Sequence, residues 1–133
     1  MKSRPVLTLD DCRRISAAAE AEAKKNSWNV CIAVLDDGGH LLHLIRMDGA
    51  SPANARIAVE KGRTAAESRR STAAWQERIR TRPELLRMPE ITPVQGGLPI
   101  MVEGGCVGGV GVSGVQSHED EQIAKAGIDA LPR

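Results

Sequence analysis

The stretch VGGVGVSGV contains a literal G-x-G-x-x-G formed by Gly109, Gly111 and Gly114. In a dinucleotide-binding enzyme this spacing brings backbone N–H groups against a pyrophosphate. It does so at a strand-to-helix turn inside a βαβ unit of about thirty residues, with an acidic residue about twenty positions on. Nineteen residues follow Gly114, which leaves no room for a returning strand, and Gly109 and Gly111 lie inside the apolar run itself. Residues two apart on a strand share a face, so Gly109 and Gly111 look one way and Val110 and Val112 the other. The expectation is a strand with one bare face, against which a helix or a ligand packs closely.

The titratable candidates are few. Lys61 sits among Ala58, Gly62, Thr64 and Ala65. A lysine facing a small-residue cavity binds a carboxylate or, with its pKa lowered by burial, acts as a base; a solvated lysine is the plain alternative. Arg46, at the end of an apolar run, offers an anion clamp. Asp36 and Asp37 suit a turn, with an acid–base role for Asp36 as the second reading. His40 and His43, three apart on a strand, point to opposite faces and make a poor chelating pair, although either can offer one nitrogen to a haem iron. His118 reads as a solvated first-turn residue. Cys12, Cys31 and Cys106 are widely spaced, with no C-x-x-C and no zinc spacing, so reduced structural thiols are expected and no metal site. No Ser-His-Asp or Walker pattern occurs.

The elements that must position these residues follow from periodicity and punctuation. Thr8 and Asp11 form a helix start, and Leu9, Cys12, Ile15, Ala19 and Ala23 repeat at helical spacing to about Asn26. NVCIAVL and LLHLIR read as two strands joined at Asp37-Gly38, an antiparallel hairpin with one strand nearer an edge. Ser51-Pro52 opens a helix rich in small residues to about Ser71, and Ser71-Thr72 opens a shorter one to Arg80. PELLRMP supplies a turn or two of helix, and TPVQGGLP a loop. Ile100 to Glu103 and Cys106 to Val112 form a second hairpin turning at Gly104-Gly105, and Ser117 caps a last helix. Paired hairpins separated by helices predict an α+β fold with an antiparallel sheet.

The bulk composition excludes several classes. With 133 residues and no long linker, residues 1–133 fit one domain. Hydrophobic residues make up 41% and charged ones 26%, the balance of a folded soluble chain. A net charge of +1 supplies no field to gather nucleic acid or an anionic membrane. The arginines between Arg69 and Arg87 are interrupted by Glu77 and Glu84 and read as a solvated face. No export segment or apolar span is expected, which predicts a cytoplasmic protein. Phe and Tyr are absent, so a flat ligand finds few rings to stack on.

Five segments, taken in order, resemble one family: LTLDDCRRI, CIAVLDDGGHLLHLIRMDGA, IAVEKGRTAAESRRST, VQGGLPI and GGCVGGVGVSGVQSHEDEQIAKAG. They are similar to the GlcG/HbpS-like proteins, which include the C-terminal domain of PduO-type corrinoid adenosyltransferases. The resemblance implies an antiparallel five-stranded sheet flanked by helices in a profilin-like arrangement, and homo-oligomers, octamers among them. It implies binding of haem, a corrinoid or another small anionic metabolite in the setting of a catabolic operon. The rival readings are a cofactor-free isomerase or lyase using Lys61 or Asp36, and a purely structural oligomer. The same resemblance places Asp36, Arg46, Asp48, Lys61, Thr64, Gly96, Gly97, Ser113 and Gly114 at recurring motif positions. His40 and His43 are the candidate haem ligands.

Overall fold

The structure, a computed structural model, describes residues 1–132. Helix α1 (Leu9–Lys25) is followed by strands β1 (Cys31–Asp36) and β2 (Leu41–Arg46), then helices α2 (Pro52–Ser68) and α3 (Thr72–Thr81). A short 3-10 segment (Pro83–Arg87) leads to strands β3 (Gly97–Val102) and β4 (Gly105–Ser113) and to helix α4 (Ser117–Asp129).

Side-chain chemistry sets the helix starts. The Asp11 N–H donates to the Thr8 hydroxyl while the Thr8 N–H donates to the Asp11 carboxylate, a reciprocal capping box. Ser51 and Pro52 open α2, and the Ser71 hydroxyl accepts from the Ala74 N–H to open α3. At α4 the expected cap moves by one residue. Gln116 is the N-cap and Ser117 is the first helical residue. The Gln116 N–H donates to the Glu119 carboxylate at 3.1 Å, so the acidic third position satisfies a group that would otherwise be orphaned.

The sheet is antiparallel throughout, in the order β2-β1-β4-β3. It has four strands among the described residues, a correction to the five expected. The loop before β3 does not supply another, because Pro93 has no N–H to donate, the Val94 N–H turns back to the Thr92 carbonyl, and the flanking N–H groups bond to side chains. The Thr92 N–H donates to Thr64 and the Gln95 N–H to Gln76. The second hairpin turns one residue earlier than expected: Glu103 and Gly104 carry φ of +52° and +80°, the left-handed pair that a two-residue hairpin loop requires.

Two apolar layers close on the sheet. Ile32 and Val34 of β1 and Val110 and Val112 of β4 pack with Cys12, Ile15 and Ala19 of α1 and Ile123 and Ala124 of α4. On the other face Cys31, Ala33 and Leu35 meet Ala58 of α2. Here the glycine parity is realised. A Cβ on Gly111 would overlap the Ala58 carbonyl oxygen, and one on Gly109 would overlap the Gly62 carbonyl oxygen. The bare face of β4 therefore receives α2, so it is a helix and not a nucleotide that makes the close approach.

Candidate functional site

Lys61 does not open into a cavity. It lies on the inner face of α2, only 2% exposed, and its ammonium donates to the Val112 carbonyl and the Asp120 carboxylate, each at 3.0 Å. Asp120, at the start of α4, is equally buried, and its other oxygen accepts from the Val115 N–H at 3.1 Å. Burial pushes the Asp120 carboxyl above its ordinary value, against the lowering pull of the Lys61 ammonium. The pair joins helices from opposite sides of the sheet where β4 ends.

Most of the glycine and hydroxyl candidates gather around this junction. Gly96 lies against the Lys61 side chain. The Gly97 N–H donates to Thr72 at 2.8 Å, Thr64 accepts from the Thr92 N–H at 3.0 Å, and the Ser113 hydroxyl is 2.8 Å from Asn54 Oδ1. Gly114 abuts the backbone of Asn29 and Val30. These groups have internal partners, and what they hold together is the seam between α2, β3 and β4.

Asp36 is engaged in the first hairpin. One of its oxygens accepts from the N–H groups of Gly38 and His40, each at 2.9 Å. Burial alone would raise this carboxyl. The two backbone donors and the His40 ring outweigh it and hold the group below its ordinary value. His40 stands on the turn before β2, with an exposed ring 3.3 Å from Asp36. His43 lies within β2, where its Nδ1 is buried without a hydrogen-bond partner. Burial raises the Cys12 and Cys31 thiols, the latter opposed by the nearby Arg46 guanidinium, which argues against either as a thiolate nucleophile.

Arg46 and Asp48 meet an open space. They line a cleft of about 390 Å³ between the end of β2 and the C-terminal turns of α1, together with Lys24, Asn29, Ile45 and Met47. The Met47 N–H donates to the Val30 carbonyl and the Ala50 N–H to the Met47 carbonyl. Gly49, with φ +90°, takes the position of that turn which requires a left-handed backbone. Asp48 therefore sits on a fixed turn beside the strand that carries Arg46. Lys24 pairs with Glu20 at 2.6 Å, one turn earlier on α1. The Arg46 and Asp48 side chains have no ion-pair or hydrogen-bond partner among the described residues.

The sequence reading singled out Arg46 and Asp48 but did not find Lys24 or Asn29, whose roles depend on α1 ending beside β2. It also missed Asp120. The available signal was an acidic residue in the first turn of α4, which helix-dipole chemistry explains without any partner.

These features define an α+β protein: an antiparallel sheet held between two helical layers, with a charged cleft at its β2 edge. The chain belongs to the HbpS-like family, whose model, described as haem degrading protein HbpS-like, matches residues 7–129. It is 46% identical over 114 residues to the protein GlcG of Escherichia coli K12, covering 85% of each chain. A double mutant of HbpS from Streptomyces reticuli superposes with a TM-score of 0.93 at 32% identity, over 100% of this chain and 92% of that one. A complex of PduOC with heme, 23% identical and covering 96% of each chain, shares the fold with a TM-score of 0.88.

Proposed function

We propose that this chain is a small-ligand-binding protein that captures a carboxylate-bearing metabolite at Arg46. The observation that carries this reading is Arg46, which lines a cleft and whose guanidinium has no ion-pair or hydrogen-bond partner among the described residues. Its fork of donors matches a carboxylate in a bidentate way, and the volume lies near the lower end of the range for ligand pockets, about 300–1,000 Å³. Lys61 and Asp36, the acid–base candidates, are both engaged in internal contacts, which favours binding over turnover.

Haem enters through the family's description. Within one chain the residues do not fit it. The orphaned nitrogen of His43 is sealed, the His40 ring stands outside the cleft, and no aromatic ring lines the cleft. No role is therefore assigned to a tetrapyrrole or corrinoid, and the small carboxylate is preferred.

Two features complete the reading. Leu41, Leu42 and Leu44 are 49%, 39% and 38% exposed on the unpaired edge of β2, which we take as the surface for a homo-oligomer. The three cysteines are free thiols, which suits a reducing cytoplasm. Among the described residues no helix is long and apolar enough to cross a membrane.

The test is a thermal-shift panel of small carboxylates, with haem as a separate arm. Stabilisation by one or more carboxylates that disappears in Arg46→Gln is the expected result, with no Soret shift at stoichiometric haem. A Soret band that persists in Arg46→Gln and is lost in His40→Ala or His43→Ala, without any response to carboxylates, would reverse the assignment.

A further inference from the structure

We propose that the Asp48–Gly49 link is a site of spontaneous aspartate isomerisation, a covalent modification that the identical dipeptide Asp37–Gly38 in the same chain is built to resist. The inference does not depend on what the cleft binds. The reaction is intramolecular: the glycine nitrogen attacks the aspartate side-chain carbon. An N–Cγ bond forms, the carboxyl hydroxyl departs with the amide proton as water, and a five-membered succinimide results. Water then opens the ring. Attack at the Cγ carbonyl restores aspartate, whereas attack at the main-chain carbonyl breaks the original peptide C–N bond and leaves the chain running through the side chain as isoaspartate. No oxidant, metal or further reactant enters. Glycine is the favourable follower because it has no Cβ to block the approach and the widest backbone freedom.

The two links differ in what holds them. At Asp37–Gly38 every reacting group is engaged. The Asp37 carboxylate pairs with Arg4 and lies 3.9 Å from Arg69, the Asp37 carbonyl accepts from Arg69 at 2.6 Å, and the Gly38 N–H donates to Asp36 at 2.9 Å. Turning that peptide group toward the side chain breaks at least one charge-assisted hydrogen bond, which is worth at least about tenfold in rate. At Asp48–Gly49 both residues are exposed. The turn closes around the link, through the Ala50 N–H on the Met47 carbonyl at 3.1 Å. Among the described residues neither the Asp48 carbonyl, the Gly49 N–H nor the Asp48 carboxylate has a hydrogen-bond partner. The ends of the turn are therefore fixed while the peptide group between them can rotate. The two common turn types differ by a flip of this central peptide, and glycine at the third position accommodates both; Gly49, at φ +90°, occupies that position.

The experiment is ageing of the folded full chain in mildly acidic buffer, below its thermal midpoint, followed by tryptic digestion. Cleavage after Lys25, Arg46 and Arg56 puts the two links in separate peptides, residues 26–46 and 47–56. Electron-transfer fragmentation distinguishes isoaspartate from aspartate in each, and a protein isoaspartyl methyltransferase with labelled S-adenosylmethionine measures the isomer independently. Isoaspartate, with the succinimide lighter by one water, accumulates in peptide 47–56 at least about tenfold faster than in peptide 26–46. In urea the two links react at comparable rates, because the contacts that protect Asp37–Gly38 are gone. Asp48→Glu abolishes the signal in peptide 47–56, since its longer side chain would have to close a less readily formed ring. Arg4→Gln with Arg69→Gln raises isoaspartate at Asp37 and leaves the rate at Asp48 unchanged, with the fold checked by circular dichroism. Equal rates at the two links in the folded chain would overturn the proposal. So would an Asp48 that stays intact under conditions in which the unfolded chain reacts, or an Asp37 that the arginine replacements leave as protected as before.

Discussion

The Lys61 ammonium lies 3.0 Å from the Asp120 carboxylate, and both side chains are almost wholly buried. Removing charges of this kind from water costs several kcal/mol each, and mutual attraction offsets that only while both partners remain. Lys61→Met should therefore destabilise the fold by about 3–5 kcal/mol, because it leaves a carboxylate buried without its counter-charge. Lys61→Met with Asp120→Asn should recover most of the loss, since the amide oxygen still accepts from the Val115 N–H. Urea midpoints of the two single variants and the double variant check this. Equal losses in Lys61→Met and in the double variant would show that packing, and not charge, governs the site.

Gly111 and Gly105 lie on the same strand with opposite tolerance. An added methyl at Gly111 would collide with the backbone of α2 at Ala58, whereas at Gly105 its nearest neighbour is the Val102 carbonyl oxygen at 3.8 Å. Gly111→Ala should cost at least about 3 kcal/mol, the upper part of the overpacking range, because two backbones must separate. Gly105→Ala should stay within about 0.5 kcal/mol. Thermal unfolding of both variants is the check, and a tolerated Gly111→Ala would mean that α2 sits further from β4.

Much of this architecture could be read from local pattern, and the missed contacts share one cause. Parity alone placed Gly109 and Gly111 on a bare face, and local capping chemistry placed the starts of α1, α2 and α3, because each depends on residues close in the chain. Lys61 stood out by type, but its partner Asp120 lies 59 residues away, and only the packing of α2 and α4 at the end of β4 brings them together. Arg46 and Asp48 were visible as motif positions. The i,i+4 pairing of Lys24 with Glu20 is local to α1, but that this turn of α1 ends beside Arg46 and Asp48 is a property of the tertiary packing. The two hairpins read from local pattern account for the four strands, and the fifth came only from the family resemblance.

Asp36 links the first hairpin to acid stability. Its folded-state value is held below the ordinary one. The carboxylate therefore adds stability above its unfolded value, about 3.9, and loses it as pH falls through the lower folded value. Asp36→Ala removes the acceptor for two backbone N–H groups and should cost about 1 kcal/mol at neutral pH. It should also flatten the decline in stability below about pH 4. Stability measured by urea unfolding across the acid range tests both, and an acid limb unchanged in the variant would assign that limb to other carboxylates.

The unpaired edge of β2 carries the remaining prediction. An edge strand with exposed leucines offers its free backbone groups to another strand, and natural sheets guard such edges with lysine, proline, a bulge or a covering segment; the β1–β2 pair has a register shift only at its Val34/Leu35 end. The opposite edge, β3, contains Pro99; β2 carries neither proline nor lysine, and from Leu41 to Ile45 it has no acidic or basic side chain other than His43. Leu41 and Leu44 stand opposite Leu35 and Ala33, on the face that α2 covers, and both stay exposed. Two copies meeting edge to edge therefore bring apolar side chains together with no like charges opposed along that stretch, the self-complementarity that a two-fold interface requires. Leu41→Lys with Leu44→Lys should lower the mass measured by light scattering to that of a single chain, with helical and sheet content unchanged by circular dichroism. The exposed positions make a large folding penalty unnecessary, since surface changes of this kind fall within about 0.5 kcal/mol. A wild-type chain that is monomeric at every soluble concentration, or a double variant that keeps the wild-type mass, would place self-association elsewhere or remove it.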